Sequence, residues 1–339
     1  MDMQAAIKAV TEKRDLTAAD MEAVMNTIMT GEATQAQIGG FLIGLRMKSE
    51  TVEEITAAAK VMRSLATRLD ISHKNLIDTC GTGGDSSGIF NVSTASAFVA
   101  AAAGCKVAKH GNRSVSSKSG SADLLENAGV NLNLSAAQVK QCIDEIGIGF
   151  MFAPNHHSAM KHAIGPRREM GVRTIFNILG PLTNPASAQN QVLGVFSPQI
   201  QRHIAETLKN LGSNHVLVVN SDDGLDEISI AKPTNIVELY EGQISEYRIK
   251  PEDFGLTAGN LKELKVDNAE QSLQLIKEAF SGKKGAASDI IALNAGAAIY
   301  AADIAASLSQ GIELAQDAML DGSAQIKLEE LIKLTNEIT

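Results

Sequence analysis

Apolar residues recur at helical spacing three times within the first seventy positions. Met21, Val24, Met25 and Ile28 form one stripe, Ile38, Phe41, Leu42 and Leu45 a second, and Ile55, Ala58, Ala59 and Met62 a third. Each follows a start signal: Thr17-x-x-Asp20, Thr34-x-x-Gln37 and Thr51-x-x-Glu54. There a hydroxyl accepts from the free amides of the first turn, and an acid or amide three residues on answers it. Acids and amides fill the opposite faces, so residues 1–70 read as a small helical domain without a catalytic cluster. Its methionines read as pliable core filling.

From Lys74 the period changes. Apolar runs near 75–80, 105–109, 191–196 and 215–220 predict strands, alternating with helices near 94–103, 121–128, 135–146 and 198–210. Ser135-x-x-Gln138 is a further capping box, and Ser197-Pro198 sets Pro at a first helical position. Such alternation predicts an α/β fold, here a large domain over 71–339 with a mainly parallel central sheet flanked by helices. Residues 235–240 and 243–249 around Glu241-Gly242 predict an appended hairpin, and 285–302 and 310–337 read as helical. Helices around 165–182 are expected to join the first domain.

The 339-residue chain is 44% apolar but 4% aromatic, without Trp, so its core rests on close packing of small and aliphatic side chains. A net charge of −9 argues against a general nucleic-acid or membrane-surface binder; cations clustered in such a chain define one focused anion site. Cys80, Cys105 and Cys142 form no C-x-x-C pair and read as reduced, small apolar residues. The N-terminal residues lack a secretory pattern and no apolar run is long enough to span a bilayer, so a cytoplasmic protein is expected.

One stretch departs from plain helix-and-sheet patterning. Asp78-Thr79-Cys80-Gly81-Thr82-Gly83-Gly84-Asp85 follows the apolar Leu76-Ile77. Asn91-Val92-Ser93-Thr94 precedes an Ala-rich helix expected over 95–103, with Ser93 or Thr94 as its cap. Lys109-His110-Gly111-Asn112-Arg113 ends the second strand. Bare backbone at 81, 83 and 84, helix N-terminal amides, hydroxyls and two cations suit a polyanionic sugar phosphate. Familiar phosphate motifs do not fit. A dinucleotide fingerprint needs an acid where Lys109 and His110 stand, a Walker loop needs Gly-Lys-Ser/Thr where Asp85 follows Gly84, and a kinase would carry His-Arg-Asp and Asp-Phe-Gly. Alone, the glycines would be a turn and Cys80 a packed side chain. The company of Asn91, Ser93, Lys109, Asn112 and the serine-rich segment 114–121 makes them a candidate site.

Two further groups extend it. Asp222-Asp223-Gly224-Leu225-Asp226-Glu227 follows the strand at 215–220, at the strand end where open α/β sheets bind ligands. By itself it is a solvated acidic turn, and it lacks the twelfth-position Glu of an EF-hand; beside a diphosphate site, Asp226 and Glu227 suit Mg²⁺. Asn155-His156-His157 has no third ligand at zinc spacing. In Gly165-Pro166-Arg167-Arg168-Glu169 adjacent side chains diverge, so one arginine can enter a cleft and grip a planar carboxylate; a surface ion pair is the plainer alternative.

Gly81-Thr-Gly-Gly-Asp85, Asn91-Val-Ser-Thr94, Lys109-His-Gly-Asn-Arg113 with Ser116 to Ser121, Phe152-Ala-Pro-Asn-His156, Arg167-Arg-Glu169, Asn177-Ile-Leu-Gly-Pro-Leu-Thr-Asn184 and Asp226-Glu227 together closely resemble the anthranilate phosphoribosyltransferase family. The likeness covers essentially the whole chain. Ser114 and Ser158 stand where the family commonly has other residues. The resemblance implies transfer of the 5-phosphoribosyl group from 5-phosphoribosyl-1-diphosphate (PRPP) to the amine of anthranilate, in tryptophan biosynthesis. It also implies a homodimer dependent on Mg²⁺, as two ions, with no nucleic-acid or membrane partner. Carried onto this sequence, the PRPP positions are Gly81, Gly84, Asp85, Ile89, Asn91, Val92, Ser93, Thr94, Lys109, His110, Gly111, Asn112, Arg113, Ser114, Val115, Ser116, Ser117 and Ser121. Ser93, Asp226 and Glu227 resemble the metal positions. Gly81, Asn112 and Arg167 resemble the anthranilate contacts, with His110 and His156 lining that pocket. No covalent nucleophile is expected; positioning and electrostatics carry the reaction. A pyrimidine nucleoside phosphorylase is the nearest competitor, and a non-catalytic nucleic-acid-binding relative of this fold the other; the acidic charge and intact motifs disfavour the latter.

Overall fold

The computed structural model describes residues 1–84, 87–114 and 119–338. Four helices come first: α1 (Met3–Thr11), α2 (Ala18–Thr30), α3 (Gln35–Lys48) and α4 (Val52–Leu65). The threonine start signals cap as expected. Thr17, Thr34 and Thr51 accept from the amides of Asp20, Gln37 and Glu54, and the side chains of Gln37 and Glu54 return the bond. Every residue of the three predicted stripes is buried. α1, capped by Asp2, adds a helix that those stripes do not include.

Seven strands follow: β1 (Leu76–Gly81), β2 (Lys106–Gly111), β3 (Ile148–Phe152), β4 (Asn190–Gly194), β5 (His215–Ser221), β6 (Thr234–Tyr240) and β7 (Gln243–Ile249). They form one sheet in the order β3-β2-β1-β4-β5-β6-β7. The first five are parallel and buried, and β6 and β7 add an antiparallel hairpin at one edge. β3 is additional to the predicted strands: it is a five-residue apolar run that starts directly behind the helix-ending Gly147.

α5 (Val92–Ala102) links β1 to β2. Its cap differs from expectation. The N-cap residue is Asn91, with Ser93 and Thr94 already inside the first turn, and the Asn91 side chain does not close that turn. The helix expected over 310–337 is two, Leu308–Leu320 and Ser323–Glu337, parted at Gly322, whose φ of +80° ends the first.

Helices cover both sheet faces. On one side α5, Ala286–Ala301 and Ser323–Glu337 share a core with β1 and β2. On the other, Gln201–Asn210 packs against β5 and β6, α4 packs on that helix, and the helical unit stacks beyond them. There the apolar core runs unbroken from Met21 and Phe41 through Met62 and Leu182 to Leu193 and Val218. The helical unit is thus anchored on the sheet, and Lys161–Met170 packs back onto α2 and α3.

At the start of β5 lies a closed polar cluster. His215, 1% exposed, sets Nε2 2.9 Å from Glu238 Oε1 and Nδ1 3.2 Å from Asp303 Oδ1. The rings of Tyr240 and Tyr300 lie 4.6 and 4.7 Å from the imidazole. Tyr300 and Tyr247 donate to Glu238 as well.

Candidate active site

Strand order reverses at β1, with β2 on one side and β4 on the other, so a crevice opens where their C-terminal ends part. Both β1 and β4 end in glycine, Gly81 paired with Gly194. The space is taken by Asp226, arriving from the end of β5. A Cβ on Gly81 would lie 2.6 Å from Asp226 Oδ2, and one on Gly194 would overlap the Asp226 carbonyl. Gly83 and Gly84 turn with φ of +65° and +82°, a left-handed path that glycine takes without strain. The Gly83 amide donates to Asp226 Oδ2 at 2.9 Å, tying the loop to the acid. Asp85 lies outside the described residues.

β2 delivers Lys109 beside this loop. Its side chain is buried, and Nζ donates to the Thr79 carbonyl at 2.5 Å and reaches Ser93 Oγ at 3.4 Å. Burial pulls the ammonium below its ordinary pKa, while Asp78, Cys80 and Glu227 pull the other way. Asp78 is the buried acid beneath: it accepts from the His110 amide at 3.2 Å and from Asn184 Nδ2 at 2.7 Å. Asn184 also donates to the Ala108 carbonyl at 2.9 Å, so the end of the Asn177–Asn184 motif clamps β1 to β2. Burial, and then the neighbouring Asp78, push the Cys80 thiol well up, which suits packing rather than nucleophilic attack.

α5 points its N-terminus at the same crevice. Asn91 spends its amide on the Ser119 carbonyl at 2.8 Å and its oxygen on the Thr94 hydroxyl at 3.1 Å, leaving the first-turn amides of α5 without a side-chain cap. Those amides and the helix dipole favour an anion there. Val92 is buried in that turn, and Ile89 bridges to Lys265 just before it. Beyond Gly111, Asn112 is exposed and Arg113 pairs with Glu126 at 2.5 Å. Asp123, absent from the sequence-derived set, accepts from the amides of both Ser114 and Gly120 at 2.9 Å. Ser121 donates to the Asn112 carbonyl at 3.3 Å, closing the base of this segment. Val115, Ser116 and Ser117 lie outside the described residues.

The acidic turn divides by role. Asp223 accepts from the hydroxyls of Ser221 and Ser229, at 2.5 and 2.6 Å, and Asp222 from Arg248, so these two build the turn. Asp226 reaches the glycine loop, and Glu227 acts on the charge of Lys109. With the Ser93 hydroxyl they give hard oxygen donors about one buried cation and one run of amides. That chemistry fits Mg²⁺, which takes a few protein oxygens and keeps water and phosphate.

In Lys161–Met170, Arg167 is half-buried and Arg168 exposed. The Arg167 guanidinium lies 5.3 Å over the Phe176 ring, and burial lowers its pKa. His110, His156 and His157 are buried, the rings of His110 and His157 5.1 Å apart. Burial drives His110 down to about 3 and His157 to about 4, and lowers His156. The three are therefore neutral at pH 7, a rim of polarisable rings rather than cations. Arg173, also outside the sequence-derived set, donates to the Gly84 carbonyl and stacks 4.2 Å from the Phe196 ring centroid.

Known proteins resemble this chain over its whole length. Residues 4–66 match the model of the helical bundle domain of a glycosyl transferase family, and residues 73–325 that of its α/β domain. The anthranilate phosphoribosyltransferase of Alkalilimnicola ehrlichii is 63% identical over 338 residues, covering 100% of both chains. Among solved structures, that of anthranilate phosphoribosyltransferase from Thermus thermophilus superposes with a TM-score of 0.93 at 41% identity, over 98% of this chain and 99% of that one. The Saccharomyces cerevisiae enzyme, solved in complex with PRPP and Mg, gives 0.90 at 26% identity, over 99% and 98%.

Proposed function

The chain belongs to the anthranilate phosphoribosyltransferase family, and from that premise we propose that it moves the 5-phosphoribosyl group of PRPP onto the amine of anthranilate, releasing diphosphate. The observation that carries the reading is one crevice holding the glycine turn, the uncapped end of α5, Lys109 and the Asp226-Glu227 pair. A pyrimidine nucleoside phosphorylase is not favoured, because full-length relatives at about 60% identity are anthranilate phosphoribosyltransferases.

Departure of diphosphate from the anomeric carbon builds positive charge on the ribose and negative charge on the leaving group. The first turn of α5 and the Lys109 ammonium stabilise the departing anion. Mg²⁺ bound through Ser93, Asp226 and Glu227 would add charge neutralisation on the diphosphate; we assign two ions. Lys109 meets the anion already desolvated, so little water must be stripped from it during reaction. The amine of anthranilate carries its own lone pair, so the protein supplies position rather than a strong base. Arg167 holds the carboxylate in a planar grip against Phe176, with Gly81, Asn112, His110 and His156 about the ring. The remaining PRPP positions, with Asp85 and Val115 to Ser117 among them, complete the donor site in this assignment. The proposal extends to a homodimer working in the cytoplasm and to a boundary near residue 70 between the helical and catalytic domains; among the described residues no helix is long and apolar enough to cross a membrane.

Purified chain mixed with anthranilate, PRPP and Mg²⁺ should lose anthranilate fluorescence, and omission of any component should stop the loss. Phosphate-dependent release of thymine from thymidine, without that loss, would transfer the assignment to the phosphorylase.

A further inference from the structure

Arg173 belongs to no residue set carried over from the family motifs, yet it touches three parts of the molecule at once. Its Nη2 donates to the Gly84 carbonyl in the glycine turn. Its guanidinium lies 4.2 Å from the centroid of the Phe196 ring, which follows β4 on the far wall of the crevice. Its own carbonyl accepts from Arg46 Nη1 of α3, in the helical domain, at 2.9 Å. Phe196 is tied into the same turn, because its amide donates to Thr82 Oγ1 at 3.1 Å. Position 84 must also be bare for this fit, since a Cβ there would come within 3.0 Å of the guanidinium.

A turn without side chains and with two positive φ angles has many conformations open to it. Here it is held on both sides, by Asp226 at Gly83 and by Arg173 at Gly84. We propose that Arg173 is a positioning residue for the sugar donor: it passes the seating of the helical domain, through Arg46, to the glycine turn and presets the Gly84 end of that turn for the diphosphate. Preset donors bind more tightly because less ordering is left to do on binding. The planar guanidinium donates and stacks at the same time, which a lysine ammonium does not. The inference rests on the functional reading above, which supplies the donor.

Steady-state kinetics with both substrates, together with calorimetric titration of PRPP and Mg²⁺, test it on the wild type, Arg173→Ala, Arg173→Lys, Arg46→Ala and the Arg46→Ala/Arg173→Ala double variant. Arg173→Ala should raise the PRPP KM and Kd about tenfold, with the anthranilate KM and the melting temperature essentially unchanged, since the side chain is exposed. Arg173→Lys should not restore donor affinity. Arg46→Ala should act in the same direction but more weakly, and the double variant should be no worse than Arg173→Ala, because one residue acts through the other. Rescue by Lys, equal rises in both KM values, or additive effects in the double variant would each overturn the inference. A wild type that turns over normally while Arg173→Ala keeps its donor affinity would overturn this inference alone. A wild type that neither binds nor consumes the donor would overturn the functional reading and this inference with it.

Discussion

The two ends of β5 carry similar chemistry and use it in opposite ways. At the start, His215 lies between Glu238 and Asp303 and two tyrosines donate to Glu238, with His215 and Glu238 buried and Asp303 at the surface. At the far end, Asp226 accepts from the Gly83 amide, Glu227 acts on the charge of Lys109, and the Asn91 side chain leaves the first turn of α5 uncapped. The first cluster answers its charges from within; the second gathers acids, a buried cation and amides around a cleft. Charged groups in a parallel sheet are therefore no guide to function on their own. What separates the two is the setting: one cluster closes on His215, and the other stands where the strand ends part.

The comparison breaks first, if it breaks, at Asp226 and Glu227. Replacing both by Ala should lower kcat/KM about a thousandfold, some 4 kcal/mol of transition-state stabilisation. Normal Mg²⁺-dependent turnover in a folded double variant would remove them as the metal positions. Next in size is the opposite end. His215→Ala leaves Glu238 and Asp303 without their shared partner and should cost about 3 kcal/mol of stability, read from the urea midpoint. Its KM values should not move, and a large change in either would mean that the staple reaches the site. Smaller again is Arg167→Ala, expected to raise the anthranilate KM about thirtyfold, near 2 kcal/mol, with the PRPP KM little changed. Equal effects on both substrates would end that role for Arg167.

Much of this frame is legible in the sequence because it is written in short-range signals. Thr34 with Gln37, Thr51 with Glu54 and Ser135 with Gln138 each mark a helix start, and the buried stripes repeat at the helical period. The Gly81–Gly84 turn and the Asp226-Glu227 pair stand out as composition that a bare scaffold does not need. What is illegible depends on distant partners. Asn91 in place of Ser93 as the cap of α5 follows from the grip of its side chain on Ser119, 28 residues on. Asp123 reads as an ordinary first-turn acid until its two amide contacts are seen, and Arg173 as one more surface cation. β3 escapes notice because five apolar residues without alternation can be strand or helix, and only the paired β2 decides.

The finest separation of the two ends is in pH. Folding keeps His110 and His157 neutral down to about 3 and about 4, chiefly by burial. Unfolded, each would titrate near its ordinary value of about 6.5. As pH falls through that value, the unfolded chain takes up protons that the folded chain refuses, so stability declines by up to about 1.4 kcal/mol per pH unit for each histidine. Above neutrality the two contribute nothing to the slope. Glu238 behaves differently. Burial raises its carboxyl, but hydrogen bonds from His215, Tyr300 and Tyr247 outweigh that and hold it below its ordinary 4.5. Its stabilisation is complete above that value and is lost only as pH drops through the lower folded one. Urea midpoints followed from pH 8 to 3.5 should therefore fall in two stages. His157→Gln should flatten the upper stage by about one proton, and Glu238→Gln should act only on the lower. A wild-type curve flat down to pH 5 would show that these buried histidines are not sheltered from protons.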